Sequence, residues 1–272
     1  MTQTETPPAY RNPGVPSLFP HQLDPELFTS DRLDDMCREA ERRGTLKVQY
    51  GDPGRQRYGN DPYYTRPSYP IIEDVLQRPI QYRITGVDEF AGGEYKECLE
   101  HVFEVGGPDP ALGRIHPEVV VRVFTPGVVV ALHGDPDAKL VSTIAGETIW
   151  WARPPEAMTI DEHERLLRGQ FFLQWRDWDD VEMRIPPGTG FYLPSRWAHW
   201  LEHPGEVPVV SFEVGFWTTE SLNARKVYDV NWLLRKARID PDPPGGPRDA
   251  AKRRLFDGIS TLTRKGTKYR GL

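Results

Sequence analysis

Short β-strand-like segments separated by turns fill the middle of the chain, and this pattern limits the fold more than any other feature. Seven or eight such segments fall in about 100 residues. Val119–Phe124 and Val128–Leu132 are rich in β-branched and aliphatic residues, and Pro126-Gly127 between them is a turn signal. Another turn signal, Pro186–Gly190, precedes a later segment. Because parallel βαβ units need long crossover helices, this spacing predicts an antiparallel sandwich or barrel.

The region before these strands has helical patterns. A helix is expected over about 31–43, ended by Gly44, and a second near 88–104. The residues at 51–70 are rich in Gly, Pro, Asn and Tyr and predict irregular structure. We therefore expect residues 1–117 to form an N-terminal arm and a helical or mixed segment packed on a core at 118–218.

Helical patterns return after the strands. Residues 219–272 are expected to form a helical extension with two apolar stripes, Val227, Val230, Leu233 and Leu234 in one and Leu255, Ile259 and Leu262 in the other. These stripes predict either a homodimer through the C-terminal helices or packing on the chain's own barrel. Within the strand region, an insert at 159–178 is expected to hold a short helix, since Thr159 and Glu162 have capping-box spacing.

Composition and charge exclude several classes of protein. The net charge is −6, from 34 basic and 40 acidic residues, which argues against a nucleic-acid partner. The longest strictly apolar run is five residues, far short of the roughly 20 that cross a membrane. The N-terminus has no basic segment followed by an apolar stretch, so we expect a cytoplasmic protein with no membrane association.

Three side chains in the strand region have the spacing of a metal site. His133 and Asp135 form an H-x-D pair directly after an apolar strand, and His199 lies 64 residues downstream, just after Phe191–Pro194. Residues i and i+2 of a strand point to the same face, so the pair converges if the strand persists, and an adjacent strand brings in His199. Two imidazoles and one carboxylate are the facial triad of non-heme Fe(II) oxygenases. The sequence therefore predicts an Fe(II) site at His133, Asp135 and His199.

The segments around these residues resemble the JmjC, or cupin-like, hydroxylases. Leu132–Asp137 followed by Ile144–Thr148 and Trp150–Pro155 is similar to their first metal motif, and Pro187–Glu202 is similar to their second. The resemblance covers about residues 118–218 closely. It implies a double-stranded β-helix, that is, a cupin-like jelly roll forming an all-β core with N-terminal and C-terminal helices. It also implies Fe(II) held by the triad and 2-oxoglutarate as cosubstrate.

The cosubstrate positions depart from this family. Thr148 stands where the family usually has a lysine that binds the distal carboxylate of 2-oxoglutarate, and Lys139 stands where asparagine is common. A buried carboxylate needs a cationic or multiply hydrogen-bonding partner. Lys139 and Arg122 are the candidate cations of the strand region, and Thr148 can supply a hydroxyl. Trp217, at the end of the last strand, is the candidate substrate contact at the barrel mouth.

These observations predict an Fe(II)- and 2-oxoglutarate-dependent oxygenase that hydroxylates an amino acid, a peptide or another small metabolite. Two alternatives stay open. One is a metal-binding cupin oxygenase that does not use 2-oxoglutarate. The other is a non-catalytic cupin-like module with a binding or regulatory role.

Overall fold

A computed structural model describes residues 14–50, 80–167 and 180–263. The strands are β1 Ser17–Pro20, β2 Leu46–Tyr50, β3 Ile80–Thr85, β4 Ile115–Phe124, β5 Val129–Gly134, β6 Ala138–Ala145, β7 Thr148–Arg153, β8 Val181–Ile185, β9 Thr189–Leu193, β10 Ala198–Glu202 and β11 Val209–Trp217. The α-helices are α1 Ser30–Arg43, α2 Val87–Phe90, α3 Gly93–Gly106, α4 Ile160–Leu166, α5 Thr219–Lys236 and α6 Asp249–Thr263.

Two antiparallel sheets face each other. The larger has the strand order β1-β9-β6-β11-β4-β3-β2, and the smaller has the order β5-β10-β7-β8. Most successive strands from β4 onward alternate between the two sheets, and all pairs are antiparallel. This winding is the double-stranded β-helix, or jelly roll, so the predicted all-β core with helical flanks is confirmed.

The larger sheet is buried on both of its faces. On β11, Phe212, Val214 and Phe216 point away from the barrel and pack in a cluster with residues of α1 and α3. Val209 points inward and belongs to a second cluster between the two sheets, together with Phe124 of β4. This alternation is the period-two pattern of strands, and it explains why β4 and β11 read as continuous apolar runs.

The N-terminal region contributes strands as well as helices. β3 pairs with β4, β2 pairs with β3, and β1 pairs with β9, so all three extend the larger sheet. The sequence pattern predicts helical or mixed structure here, so the three strands differ from that expectation. Without β3, the edge of β4 that faces away from β11 would leave a row of backbone groups without partners, and β3 satisfies them.

The predicted N-terminal helices are present with shifted bounds. α1 begins after the N-cap Thr29 and ends at Gly44, whose φ of 71° is left-handed. The helix expected over 88–104 is split into α2 and α3 around Gly92, whose φ is 123°. Helix α4 has the predicted capping box of Thr159 and Glu162, with both hydrogen bonds formed. The irregular structure predicted for 51–70 lies outside the described residues.

The C-terminal helices pack on each other and on the barrel. Val227 and Val230 of α5 are buried, whereas Leu233 of α5 and Leu255 of α6 are 41% and 49% exposed. Part of the first stripe therefore packs within the chain, and the homodimer stays a prediction. Among the helices of the described ranges, none is both long and apolar enough to cross a membrane.

Candidate metal centre

The three predicted ligands lie together at one end of the barrel. β5 and β10 are antiparallel neighbours, and His133 lies directly opposite His199 in their register. Asp135 follows the end of β5 by one residue. One ligand atom from each of the three side chains lies within 4.8 Å of the others. The structure therefore brings together two residues that are two positions apart in sequence and one that is distant.

Backbone carbonyls fix the orientation of both imidazoles. His133 Nδ1 lies 2.8 Å from the carbonyl oxygen of Ala131, and His199 Nδ1 lies 3.1 Å from that of Trp197. A carbonyl only accepts hydrogen bonds, so each Nδ1 is the donor and each Nε2 carries the lone pair. The two Nε2 atoms lie 3.8 and 3.5 Å from Asp135 Oδ2. Such second partners are the usual means of aiming histidine ligands at a metal.

The charge states suit a divalent metal. Burial lowers the pKa of both His133 and His199, so the rings are neutral at neutral pH. Burial alone would raise the pKa of Asp135, but the Lys139 ammonium, which also hydrogen-bonds to the carboxylate, outweighs burial and holds that pKa well below its usual range. Two neutral imidazole lone pairs therefore face a carboxylate. These groups are acceptors that converge on one point, and a bound metal cation suits them.

The candidate cosubstrate residues have different surroundings. The Lys139 ammonium contacts Asp135 Oδ2 directly, so this lysine borders the triad. Arg122 Nε lies 2.7 Å from Glu213 Oε2, and both side chains are buried. Thr148 is buried and accepts a hydrogen bond of 3.0 Å from Trp150 Nε1. Lys139 therefore lies beside the triad, whereas Arg122 and Thr148 are bonded to other residues of the barrel.

Two residues of the barrel interior were missed as functional candidates. The Trp150 indole stacks on the His199 ring, with centroids 5.6 Å apart and planes inclined by 24°, and it also lies 4.6 Å from the Phe191 ring. Glu213 holds Arg122 and accepts a hydrogen bond of 3.1 Å from Ser211 Oγ. The available signal was the alternation on β11, where Ser211 and Glu213 are polar at every second position of an apolar strand.

The predicted substrate contact lies at the end of β11. Trp217 is half-buried and pairs in register with Ile115, after a bulge that follows Gly215. Asp137 lies nearby, since a Cβ built on Gly215 would sit 2.7 Å from its Oδ2. Burial, reinforced by Asp135, raises the pKa of Asp137 to about 6. The role of Trp217 stays a prediction.

Comparisons with known proteins identify the fold. No protein-family model matches the chain, and no curated protein matches it in sequence. Among solved structures, it is similar to the Escherichia coli ribosomal oxygenase YcfD in complex with cobalt and 2-oxoglutarate, with a TM-score of 0.53 and 13% identity. That match covers 93% of this chain and 64% of YcfD, so the chain spans less than two thirds of its length.

A second structure of YcfD gives the same result, with a TM-score of 0.53, 14% identity, and coverage of 93% of this chain and 66% of the other. Identities this low establish the fold and nothing finer. The resemblance to JmjC-type oxygenases predicted from the sequence motifs is therefore confirmed at the level of the fold, and the chain is a double-stranded β-helix like that of YcfD.

Proposed function

We propose that the protein is an Fe(II)- and 2-oxoglutarate-dependent oxygenase that hydroxylates an amino acid, a peptide or another small metabolite. The observation that carries the proposal is the convergence of His133, Asp135 and His199 within 4.8 Å at one end of a double-stranded β-helix. The structurally similar YcfD has been solved with cobalt and 2-oxoglutarate. When bound, iron would supply dioxygen activation and the oxidative decarboxylation of the cosubstrate.

The chain's own residues prepare the site for this chemistry. The carbonyls of Ala131 and Trp197 hold the imidazoles in the tautomer that leaves Nε2 unprotonated, so no proton has to leave before a metal binds. Three protein ligands occupy three positions of an octahedron and leave three for the cosubstrate and dioxygen. Trp150 shields one face of His199 and limits its exposure to water.

A cation lies beside the triad and suits an anionic cosubstrate. The Lys139 ammonium contacts Asp135, and Arg122 of the barrel interior is paired with Glu213. A divalent metal would add two positive charges at this end of the barrel, and a dianion such as 2-oxoglutarate would offset them.

Lys139 is the leading candidate for the cosubstrate carboxylate, with Arg122 and Thr148 as further contacts. Lys139 borders the triad, and a metal cation would replace its ammonium as the partner of Asp135, which frees the ammonium for an anion. Arg122 is held by Glu213, and Thr148 offers a hydroxyl without charge. Trp217 is proposed as a substrate contact.

We place the protein in the cytoplasm, where its free cysteines Cys37 and Cys98 would stay reduced.

One observation favours the second candidate function, a metal-dependent oxygenase that does not use 2-oxoglutarate. The position where a family lysine is expected is Thr148, its hydroxyl is bonded by Trp150, and Arg122 is already neutralised by Glu213. A cosubstrate carboxylate would then depend on Lys139 alone for its positive partner among these three residues.

Metal analysis and succinate release separate these functions. The protein is loaded anaerobically with Fe(II), desalted, and assayed for bound iron and for succinate formed from 2-oxoglutarate in air. Iron at one per chain with succinate supports the proposal, and iron without succinate supports the 2-oxoglutarate-independent oxygenase. Absence of bound iron supports a non-catalytic module. Lys139→Ala is the matched variant, and we expect at least a tenfold rise in the apparent KM for 2-oxoglutarate, equivalent to about 1.4 kcal/mol.

A further inference from the structure

Helix α4, which lies between β7 and β8, covers the C-terminal end of β5, where two of the candidate ligands lie. Gly134 lies between His133 and Asp135, and a Cβ built on it would sit 3.3 Å from Leu166 Cβ and 3.6 Å from a methyl of Leu167. Leu166 also packs with Leu132 and Ala198, the neighbours of the two histidine ligands. The helix is therefore in contact with both strands that carry the triad.

His163 of α4 is buried and uses both of its ring nitrogens. Its Nε2 lies 2.9 Å from the carbonyl oxygen of Arg196, and its Nδ1 lies 3.1 Å from the hydroxyl of Tyr228 on α5. Burial lowers the pKa of His163 to about 4, so the ring is neutral at neutral pH. Since the carbonyl can only accept, Nε2 carries the proton and Nδ1 accepts from the Tyr228 hydroxyl.

Arg196 links His163 to the candidate ligands. Its backbone N–H donates to the carbonyl of Asp135 at 2.9 Å, while its own carbonyl accepts from His163. The next residue, Trp197, provides the carbonyl that orients His199. Arg196 has a φ of 70°, a left-handed conformation that an arginine keeps only when its surroundings hold it there.

We infer that His163 is a positioning residue for the metal centre, because its bond to the Arg196 carbonyl fixes the turn that supports the Asp135 backbone and the His199 ring. This inference rests on the metal site of the proposed function. It assigns to α4 a task beyond covering the barrel, namely to set the relative placement of the two ligands that come from different strands.

A purely structural role for α4 can be separated from this one. The helix is also docked by Glu164, whose carboxylate lies 3.0 Å from Arg235 Nε and 3.5 Å from Asn231 Nδ2. Arg225 adds a hydrogen bond of 3.1 Å to the Leu167 carbonyl. These contacts hold α4 to α5 without involving Arg196. Glu164→Gln is therefore a matched control that weakens docking and leaves the bond to Arg196 in place.

The test measures Co(II) binding by calorimetry and the visible absorption of the bound Co(II), with full-length protein and without any turnover. His163→Phe keeps a ring but removes both hydrogen bonds, and we expect at least a tenfold weaker affinity and an altered Co(II) spectrum. His163→Gln restores a donor for the Arg196 carbonyl and should recover affinity to within about threefold. Glu164→Gln should keep the wild-type affinity and spectrum even where its melting temperature falls.

Wild-type affinity and spectrum in His163→Phe would overturn the inference, as would an equal loss of affinity in Glu164→Gln. Should His163→Phe fail to fold, Tyr228→Phe takes its place, since it removes the hydroxyl that holds the His163 ring through Nδ1. The expected result is then an affinity loss of at least threefold, and an unchanged affinity contradicts the inference. Failure of the wild-type protein to bind Co(II) would instead contradict the proposed metal site itself.

Discussion

The two ends of the barrel interior are built from opposite kinds of side chain. At the metal end lie His133, Asp135, His199 and Lys139, all polar; His199 is buried and the other three are partly exposed. The other end, here called the apolar end, is closed by buried apolar side chains, namely Phe124, Val128, Met183, Ile185 and Val209. Apolar burial stabilises the fold, whereas buried polar groups cost stability unless they are paired. The apolar end therefore stabilises the barrel, whereas the metal end holds polar groups whose burial costs stability unless they are paired.

The comparison predicts that Asp135→Ala changes metal binding far more than it changes folding. The substitution removes the single carboxylate of the triad, so the Kd for Fe(II) or Co(II) should rise at least a thousandfold, about 4 kcal/mol. The circular dichroism spectrum should stay that of the wild type. Calorimetric titration checks the affinity, and wild-type binding by Asp135→Ala would remove Asp135 from the metal site.

Phe124→Ala at the apolar end should have the reverse effect. Phe124 is 1% exposed, and deleting a buried phenyl ring costs about 3–4 kcal/mol of unfolding free energy. Metal affinity measured well below the melting temperature should stay within about threefold of wild type. Urea denaturation measures the loss, and a variant that loses metal binding without losing stability would contradict the division between the two ends.

The buried ion pair of Arg122 and Glu213 sharpens the comparison, since it places charge two residues from Phe124 on the same face of β4. Arg122→Met leaves Glu213 buried without its partner and should cost about 3 kcal/mol of unfolding free energy. The double variant Arg122→Met/Glu213→Leu should recover most of that loss, because neither charge is then left unpaired. Urea denaturation of both variants tests this, and an equal loss in the double variant would contradict it.

Acid should weaken the folded state through His163, which lies outside the barrel interior. Its pKa is about 4 in the folded protein and about 6.5 in the unfolded chain, so unfolding takes up a proton between these values. The stability that neutral His163 contributes is complete above pH 6.5 and is lost as the pH falls toward 4, by about 2–3 kcal/mol. Unfolding of wild type and His163→Gln at several pH values checks this, and parallel pH profiles would contradict it.

The sequence was most informative where local patterns decide the structure. The H-x-D pair follows the apolar segment Val128–Leu132, and both the capping box of Thr159 and the stop at Gly44 depend on neighbouring residues alone. The motif resemblance then supplied the order in which the strands wind, which short strands with turn signals do not specify by themselves.

Long-range pairing set the limit of prediction. β3 pairs with β4, and β2 pairs with β3. The alternation of Ile80, Tyr82 and Ile84 with polar residues is a local strand signal in β3 that the prediction did not use, but no local signal specifies its partner. Trp150 and Glu213 acquire their roles from contacts with His199 and Arg122, which lie about 50 and 90 residues away in sequence. Helix α4 was expected from its cap, but the bond from His163 to Arg196 depends on tertiary packing.

The central claim is that one end of this barrel is a metal site built to hold a dianionic cosubstrate. It is tested most directly by anaerobic calorimetry in two steps, first Fe(II) into the protein and then 2-oxoglutarate into the metal-loaded and metal-free forms. We predict one Fe(II) per chain, abolished in Asp135→Ala, and binding of 2-oxoglutarate that requires the metal. Binding of Fe(II) that is unchanged in Asp135→Ala, or no binding of 2-oxoglutarate to the loaded protein, would contradict the claim.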